Sequence, residues 1–428
     1  MISDVSFVRA NGILLFILTI TLSVMMIRAP GTSDVWVWRD WMNTVYQDGL
    51  VQGYSHVIAS ASGEPSGGDY PPVSFVILHL TRIFGDMIGL PQRGSIKVLV
   101  LTFQLLSAGL ILFNSRDVWT AAAFNTSILV FSVGLGYLDI CLAPWLILAF
   151  WAFQSERHVL GTAFFLLACL IKWQPLIIAP FIAIYLLQIS DVRSLWGSLT
   201  RSLFWKLVMI IGMTILAVTL LFGYTPLLSL KNAMGHLYLS GNALNMPWIA
   251  GCLLTLFLSP SFSIRVDEFP IILAPSSVYL IPVKMTFFVL FATLLVRAVR
   301  SEPSYQNCLL FSLTGFATYV MWNAGVHENH WFVAVILAYM LILHSRTRQH
   351  WAIATMITVM ANINLFTFYG ITGMREIQSR VIGIDLSMIL AVLYVIAWLL
   401  LSVYTWRASS LKIRRENAFK SSPTVVGT

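Results

Sequence analysis

The amino-acid sequence predicts an all-α fold, a polytopic transmembrane helical bundle. Composition is the first reason: 58% of the residues are hydrophobic and 10% charged, whereas soluble domains carry about a quarter charged residues. Apolar stretches of membrane-spanning length are the second. They recur along the whole chain and make about 12 spans, or about 14 if two ambiguous stretches also cross. The third is the placement of charge. The net charge of +8 collects in short loops and in the tail, as the positive-inside rule requires, and this argues for membrane lipids and against nucleic acid as the partner. Residues 1–428 therefore form a single integral-membrane domain, with a long first external loop at 28–94 and a basic cytoplasmic tail at 406–428. Cys141, Cys169, Cys252 and Cys308 are scattered singly among apolar residues, which suits packing and neither disulfides nor metal.

The spans follow from the basic loops, counted back from the C-terminus. Arg407, Lys412, Arg414, Arg415 and Lys420 are expected to be cytoplasmic. Residues 384–404 and 351–369 then cross in opposite directions, and the His344, Arg346, Arg348, His350 loop falls inside. Residues 331–343 and 308–322 follow, which puts Val326-His327-Glu328-Asn329-His330 outside. Residues 278–296 bring Arg297 and Arg300 inside, and the basic, Trp-containing stretch 191–206 suits a cytoplasmic interfacial helix. Spans 207–222, 176–188 and 160–171 place Lys172 at the outer end of its helix, with Pro175 breaking the turn and Asp139 also outside. Residues 12–27 have no small-x-small cleavage site after them and read as an uncleaved first helix. With the N-terminus inside, parity requires 73–90 to dip into or lie along the outer leaflet. Residues 248–258 with 270–275 read as re-entrant or as a pair of crossings.

The first external loop holds five acids, Asp34, Asp40, Asp48, Glu64 and Asp69, with only Arg28 and Arg39 to balance them. Val35-Trp36-Val37-Trp38-Arg39-Asp40-Trp41-Met42 is amphipathic at helical spacing and should rest at the interface with its tryptophans among the headgroups. Asp34 stands at the N-cap position of that helix, Ser33 being the competing cap. Asp69-Tyr70-Pro71-Pro72 closes the loop and stiffens entry to the next helix. Threading brings Lys172, Asp139, His327, Glu328 and His330 to the same face, and ionisable groups at spans tend to mark a site. A snorkelling lysine and a solvated loop are the plain alternatives for Lys172 and His327. His327-x-x-His330 with Glu328 lacks the His-Glu-x-x-His pattern and a third ligand, so no metal site is expected.

In this order, these residues resemble the dolichyl-phosphate-glucose-dependent α-1,3-glucosyltransferases, membrane glycosyltransferases of the GT-C type. The family's Asp followed by Arg, Trp and Met is matched by Asp34, Arg39, Trp41 and Met42, and its Asp-Tyr-Pro-Pro by Asp69 to Pro72. Its Phe-Lys-Gln before a proline-containing span resembles Ile171-Lys172-Trp173-Gln174 with Pro180, and its Val-His-Glu-Lys resembles Val326-His327-Glu328-Asn329. The departures are Val35 and Trp36 where the family has its second acid, Asn329 where it has lysine, and missing histidines around Asp139. The first loop also lacks the family's Trp-Tyr pair. They point to a distant, prokaryotic member.

The resemblance implies a GT-C fold and inverting transfer of a hexose, glucose favoured, from a polyprenyl-phosphate sugar donor to a glycan or lipid-linked acceptor on the non-cytoplasmic face. It implies Asp34 as catalytic base and Lys172, His327 and Arg39 as ligands of the donor phosphate. Asp69, Tyr70, Glu328 and Asp139 would shape the acceptor side and its loops. Such a reaction needs no cofactor. The setting would be the plasma or inner membrane in a prokaryote and the endoplasmic reticulum in a eukaryote. Three other readings remain: a transporter or flippase of a lipid-linked sugar, a lipid-glycan ligase or polymerase, and a non-enzymatic membrane scaffold, which leaves the outer acidic loop unexplained. The first would carry its charges near the midplane in paired repeats. The second would carry its large external loop late in the chain.

Overall fold

The computed structural model describes residues 2–60, 68–236, 238–257, 271–273, 277–371, 373, 380–381 and 384–420. Glu64, most of 270–275 and the last eight residues lie outside it, as do the side chains beyond Ser409. The described chain is helical nearly throughout. Its helices are α1 (Ile2–Met25), α2 (Asp34–Gln47), α3 (Leu50–Ser60), α4 (Pro72–Met87), α5 (Gln92–Ser115), α6 (Val118–Leu129), α7 (Ala143–Gln154), α8 (His158–Ile171) and α9 (Ala179–Leu186). They continue as α10 (Val192–Ser198), α11 (Ser202–Phe222), α12 (Thr225–Met234), α13 (Met246–Phe257), α14 (Leu280–Val299), α15 (Tyr305–Trp322), α16 (Trp331–His344), α17 (Arg348–Tyr369) and α18 (Leu386–Lys420).

Six stretches are long and apolar enough to cross a membrane among the described residues: Ala10–Arg28 and the apolar lengths of α5, α11, α14, α17 and α18. Between them pack shorter apolar helices, α7, α8, α9 and α16 among them. At 14 residues each, α8 and α16 reach only ~21 Å at 1.5 Å per residue, short of a ~30 Å hydrocarbon core. α16 is apolar all round and buried from Trp331 to Ile342, the pattern of a central helix. At the other extreme, α11 exposes Ile215, Leu216, Leu220 and Leu221, and α14 exposes Ile281, Phe288 and Val289. Apolar surface on this scale has to be covered by lipid.

Several polar side chains inside the bundle pair with one another, since a hydrocarbon interior offers them no water. Gln104 of α5 donates to Ser23 Oγ at 2.7 Å and to Asn125 Oδ1 at 2.9 Å, joining α1, α5 and α6. The hydroxyls of Thr314 and Thr405 meet at 2.7 Å, and Trp398 Nε1 donates to Thr318 Oγ1 at 2.9 Å, joining α15 to α18.

The bundle has two chemically different ends. One end gathers the turns before α6, before α8, between α9 and α11, before α15 and before α17. There Arg346 donates to Ser115 O at 2.6 Å and lies 3.6 Å from Asp117, and Gln188 donates to Pro303 O at 3.1 Å. This end carries Arg116, Arg157, Arg201, Arg300, Arg346 and Arg348. The turns that carry Asp34, Asp69, Asp139, Lys172 and His327 gather at the other.

Several expectations need correction. The stretch 191–206 is not one helix. α10 spans only seven residues under an Asp191/Ser194 capping box, and Trp205 and Lys206 belong to the first turns of α11. The expectation of helices alone misses a small sheet, β2-β1-β3, formed by β1 (Tyr238–Gly241), β2 (Ile271–Leu273) and β3 (Val326–His327), besides a hairpin of β4 (Arg380–Val381) and β5 (Ile384–Asp385). The stretch 248–258 forms most of α13, which has 12 residues. α4 begins and ends at the same end of the bundle. Ser74 near its start donates to Ile171 O at 2.5 Å, while Gln92, just after it, accepts from Asn43 at 3.1 Å and Arg93 donates to Ala29 O at 3.1 Å.

Replacing Gln104 with leucine is expected to lower stability by about 1 kcal/mol, the ordinary worth of interhelical hydrogen bonds in membranes. A thermal-unfolding comparison of wild type and Gln104→Leu in the same detergent measures it.

Candidate functional site

Asp34 is placed by the chain that leaves α1. Gly31, with φ +80°, turns the backbone, and Thr32 N donates to Leu135 O at 2.9 Å. Asp34 then opens α2 in its first turn, where a carboxylate is favoured by the helix dipole. Neither candidate acts as a side-chain cap: Ser33 holds the cap position without a side-chain bond, and Asp34 is already helical. Asp34 is half-buried and has no hydrogen bond or ion pair among the described residues.

The tryptophans of α2 correct the interfacial picture. Only Trp36 is exposed. Val35, Trp38, Trp41, Met42 and Val45, spaced for one helix face, are buried. Trp38 and Trp41 meet Tyr70 edge-on, with ring centroids 4.9 and 5.6 Å away, and Trp41 stacks on Phe75 of α4 at 5.1 Å. Their indoles serve to clamp Tyr70, because α4 covers this face of α2.

Lys172 and Asp139 form the core of the site. Lys172 is the extended residue that ends α8. It is not a snorkelling lysine: it is 6% exposed, with Nζ 3.4 Å from the centre of the Tyr70 ring and 3.5 Å from Asp139 Oδ1. Asp139, 1% exposed, lies in a tight turn before α7. Its Oδ1 accepts from Tyr70 Oη at 2.5 Å and its Oδ2 from Asn329 Nδ2 at 3.0 Å. One buried carboxylate thus joins the 69–72 motif, the end of α8 and the 326–329 loop.

The short sheet positions His327. β3 pairs in parallel with β1, Gly241 opposite His327, and a Cβ at Gly241 would come within 2.6 Å of His327 Nδ1. The Tyr238 hydroxyl and His327 Nε2 are hydrogen-bonded. Beside them His236 Nε2 lies 3.7 Å from Asp69 Oδ2. Glu328, 4% exposed, accepts from Tyr137 Oη at 2.5 Å through Oε1. Its Oε2 has no hydrogen-bond partner and lies 3.9 Å from His327 Nδ1.

Burial and neighbours set the charges apart. Burial raises the Asp34 carboxyl to about 6; Lys172 pulls it down, while Asp139 and Asp69 push it up. Burial would also raise Asp69, but Lys172 and His236 outweigh it and hold that carboxyl well below the usual range. Burial and the neighbouring His236 depress His327 to about 3. The basic pair expected of Lys172 and His327 is therefore one cation and one neutral imidazole.

Lys172, Asp139, Tyr70, Asp69, His327 and Glu328 converge, with Asp34 close enough to couple electrostatically to Lys172, Asp139 and Asp69. Arg39 does not join them. It lies on the exposed side of α2, bonded to Asp40 at 2.7 Å and 4.6 Å over the Trp36 ring. Five residues beyond Asp34, the Arg39 side chain is turned about 140° around the helix, off Asp34's face. His236, Tyr238 and Tyr137 are site residues that sequence reasoning missed. The first two fall in the stretch expected outside after residues 207–222, and Tyr137 stands two before Asp139, so their location was their signal. Among the described residues no three His, Cys, Asp or Glu side chains gather as metal ligands.

Lys172→Met should leave Asp139 buried without its ion-pair partner. Removing one partner of a buried pair costs about 3–5 kcal/mol. The thermal midpoint should fall much further than for His327→Ala, whose side chain is 28% exposed. No model of a known protein family matches the chain, and no curated protein matches it.

Proposed function

We propose that the chain is a membrane glycosyltransferase of the GT-C type, with about 12 spans, moving a hexose from a polyprenyl-phosphate donor to a glycan or lipid-linked acceptor with inversion. The observation that carries this reading is an unbonded carboxylate, Asp34, raised to about 6, within electrostatic reach of a buried lysine, Lys172, at one end of the bundle. The opposite end is rich in arginine, which supports assigning the site to the non-cytoplasmic face. The plasma or inner membrane of a prokaryote is the setting the departures from the family pattern favour.

In this reading the acceptor hydroxyl gives its proton to Asp34 as its oxygen bonds the anomeric carbon. The bond from that carbon to the phosphate oxygen breaks on the opposite face, and its electron pair leaves with the polyprenyl phosphate. A base works best when its pKa is near the operating pH. Asp34 meets that condition, whereas Asp69 is held ionised and poorly basic. Lys172 Nζ stabilises the departing phosphate, and His327 offers a neutral hydrogen-bond donor beside it. Asp139 supports Lys172 from behind, and Tyr70 presses on it through its ring.

Asp34→Asn should abolish transfer, by about 10²–10⁴-fold for loss of a general base, with expression and insertion intact. Near-normal activity of this variant on a defined polyprenyl-phosphate glucose donor would remove Asp34 from the role. The pH profile gives a second readout. A carboxylate base is active above its pKa, so kcat/KM should fall about tenfold per unit below pH ~6 and level off above it. Mass spectrometry of lipid-linked and surface glycans in a deletion strain tests the function itself. A missing hexose is expected, and an unchanged glycan profile would count against the proposal.

A further inference from the structure

Lys97 lies on α5, outside the cluster described above, and it is the most deeply buried lysine among the described residues at 1% exposed. It has no acidic partner among the described residues. Its Nζ donates instead to two backbone carbonyls, Val133 O at 2.7 Å and Gly134 O at 3.1 Å. Those carbonyls belong to the π-helical segment Val130–Gly134, in which α6 ends. The last carbonyls of a helix have no partner of their own, and inside an apolar bundle each one left bare is costly. The next carbonyl along, Leu135 O, accepts from Thr32 N at 2.9 Å, two residues before Asp34.

The approach is close on both sides. Gly31 and Gly136 have φ of +80° and +82°. A Cβ on Gly31 would lie 3.2 Å from Lys97 Nζ and 2.7 Å from Val35 Cγ2, and one on Gly136 would lie 3.4 Å and 2.5 Å from the same atoms. The lysine head, two glycine backbones and the first turn of α2 are therefore in contact, with no room for another side chain.

We infer that Lys97 is a positioning residue: by capping the end of α6 it fixes the strand of backbone that Thr32 hangs from, and so sets where Asp34 stands. The inference rests on Asp34 being the base of the proposed transfer only for its catalytic consequence; the positioning itself can be tested without substrate.

The test is amide hydrogen exchange of the full chain in nanodiscs, followed by mass spectrometry, on wild type, Lys97→Met and Lys97→Gln. Methionine fills much of the same volume and donates no hydrogen bond. In K97M, exchange across residues 30–36 should quicken at least tenfold while α16 keeps its protection. Lys97→Gln, whose shorter amide reaches one carbonyl at most, should quicken it about threefold. Should K97M fail to accumulate, K97Q carries the comparison alone. Unchanged exchange at 30–36 overturns the inference, as does a loss of protection spread evenly over the bundle. With polyprenyl-phosphate glucose as probe, K97M should lower kcat at least tenfold with donor KM within twofold. An increase in exchange from a wild type that transfers no sugar would keep the positioning role and sink the proposed function instead.

Discussion

A single carboxylate, Asp139, sets the terms for the site. It is sealed inside a largely apolar molecule, and such a group is tolerated only with partners that satisfy its charge and its oxygens. The partners come from chain segments far apart: Tyr70 before α4, Lys172 at the end of α8, and Asn329 before α16. Each is held in turn. Tyr70 is wedged among Trp38, Trp41 and the lysine, and its carbonyl accepts from Ser229 Oγ at 2.8 Å. Folding therefore brings the site together as part of solving a burial problem, and the cost of misplacing any one segment is a stranded charge.

The environment also divides labour among the acids. Asp139 has its oxygens taken up, Asp69 faces Lys172 and His236, and Glu328 is bonded by Tyr137. Burial lifts Asp34, Asp139 and Glu328 alike, while Lys172 and His236 hold Asp69 down; Asp34 differs from the others in that its carboxylate makes no bond among the described residues. Environments that push like groups apart are how proteins keep one carboxyl free to titrate in a useful range.

Helicity and the apolar character of the chain were legible in composition, and the gathering of Asp34, Asp139, Lys172 and His327 at one end followed from the positions of basic loops. What escaped reading depended on contacts across the chain. Nothing in the pattern of α2 says that Trp38 and Trp41 face Tyr70 while Arg39 faces out, since an amphipathic helix offers its apolar side equally to lipid and to another helix. The sheet that aims His327 escaped because two- and four-residue strands carry no periodicity. No motif singles out Lys97, because its value lies in carbonyls 36 and 37 residues further on. Asn329, first noticed as a mismatch to a family pattern, turns out to be a neutral donor to Asp139.

The shortness of α8 and α16 has a consequence for lipid access. Helices of ~21 Å are about 9 Å shorter than a ~30 Å hydrocarbon slab, so in the proposed membrane setting the floor of the site would be sunk below the level of the neighbouring headgroups. In the proposed reaction, a donor phosphate drawn into such a recess would carry its prenyl tail sideways in the bilayer without lifting it into water. At about 0.8 kcal/mol for each methylene exposed, a long isoprenoid would otherwise be prohibitively hard to extract. Under the proposed function, the truncated helices would let polar chemistry take place at a depth where the anchor stays dissolved in its own solvent.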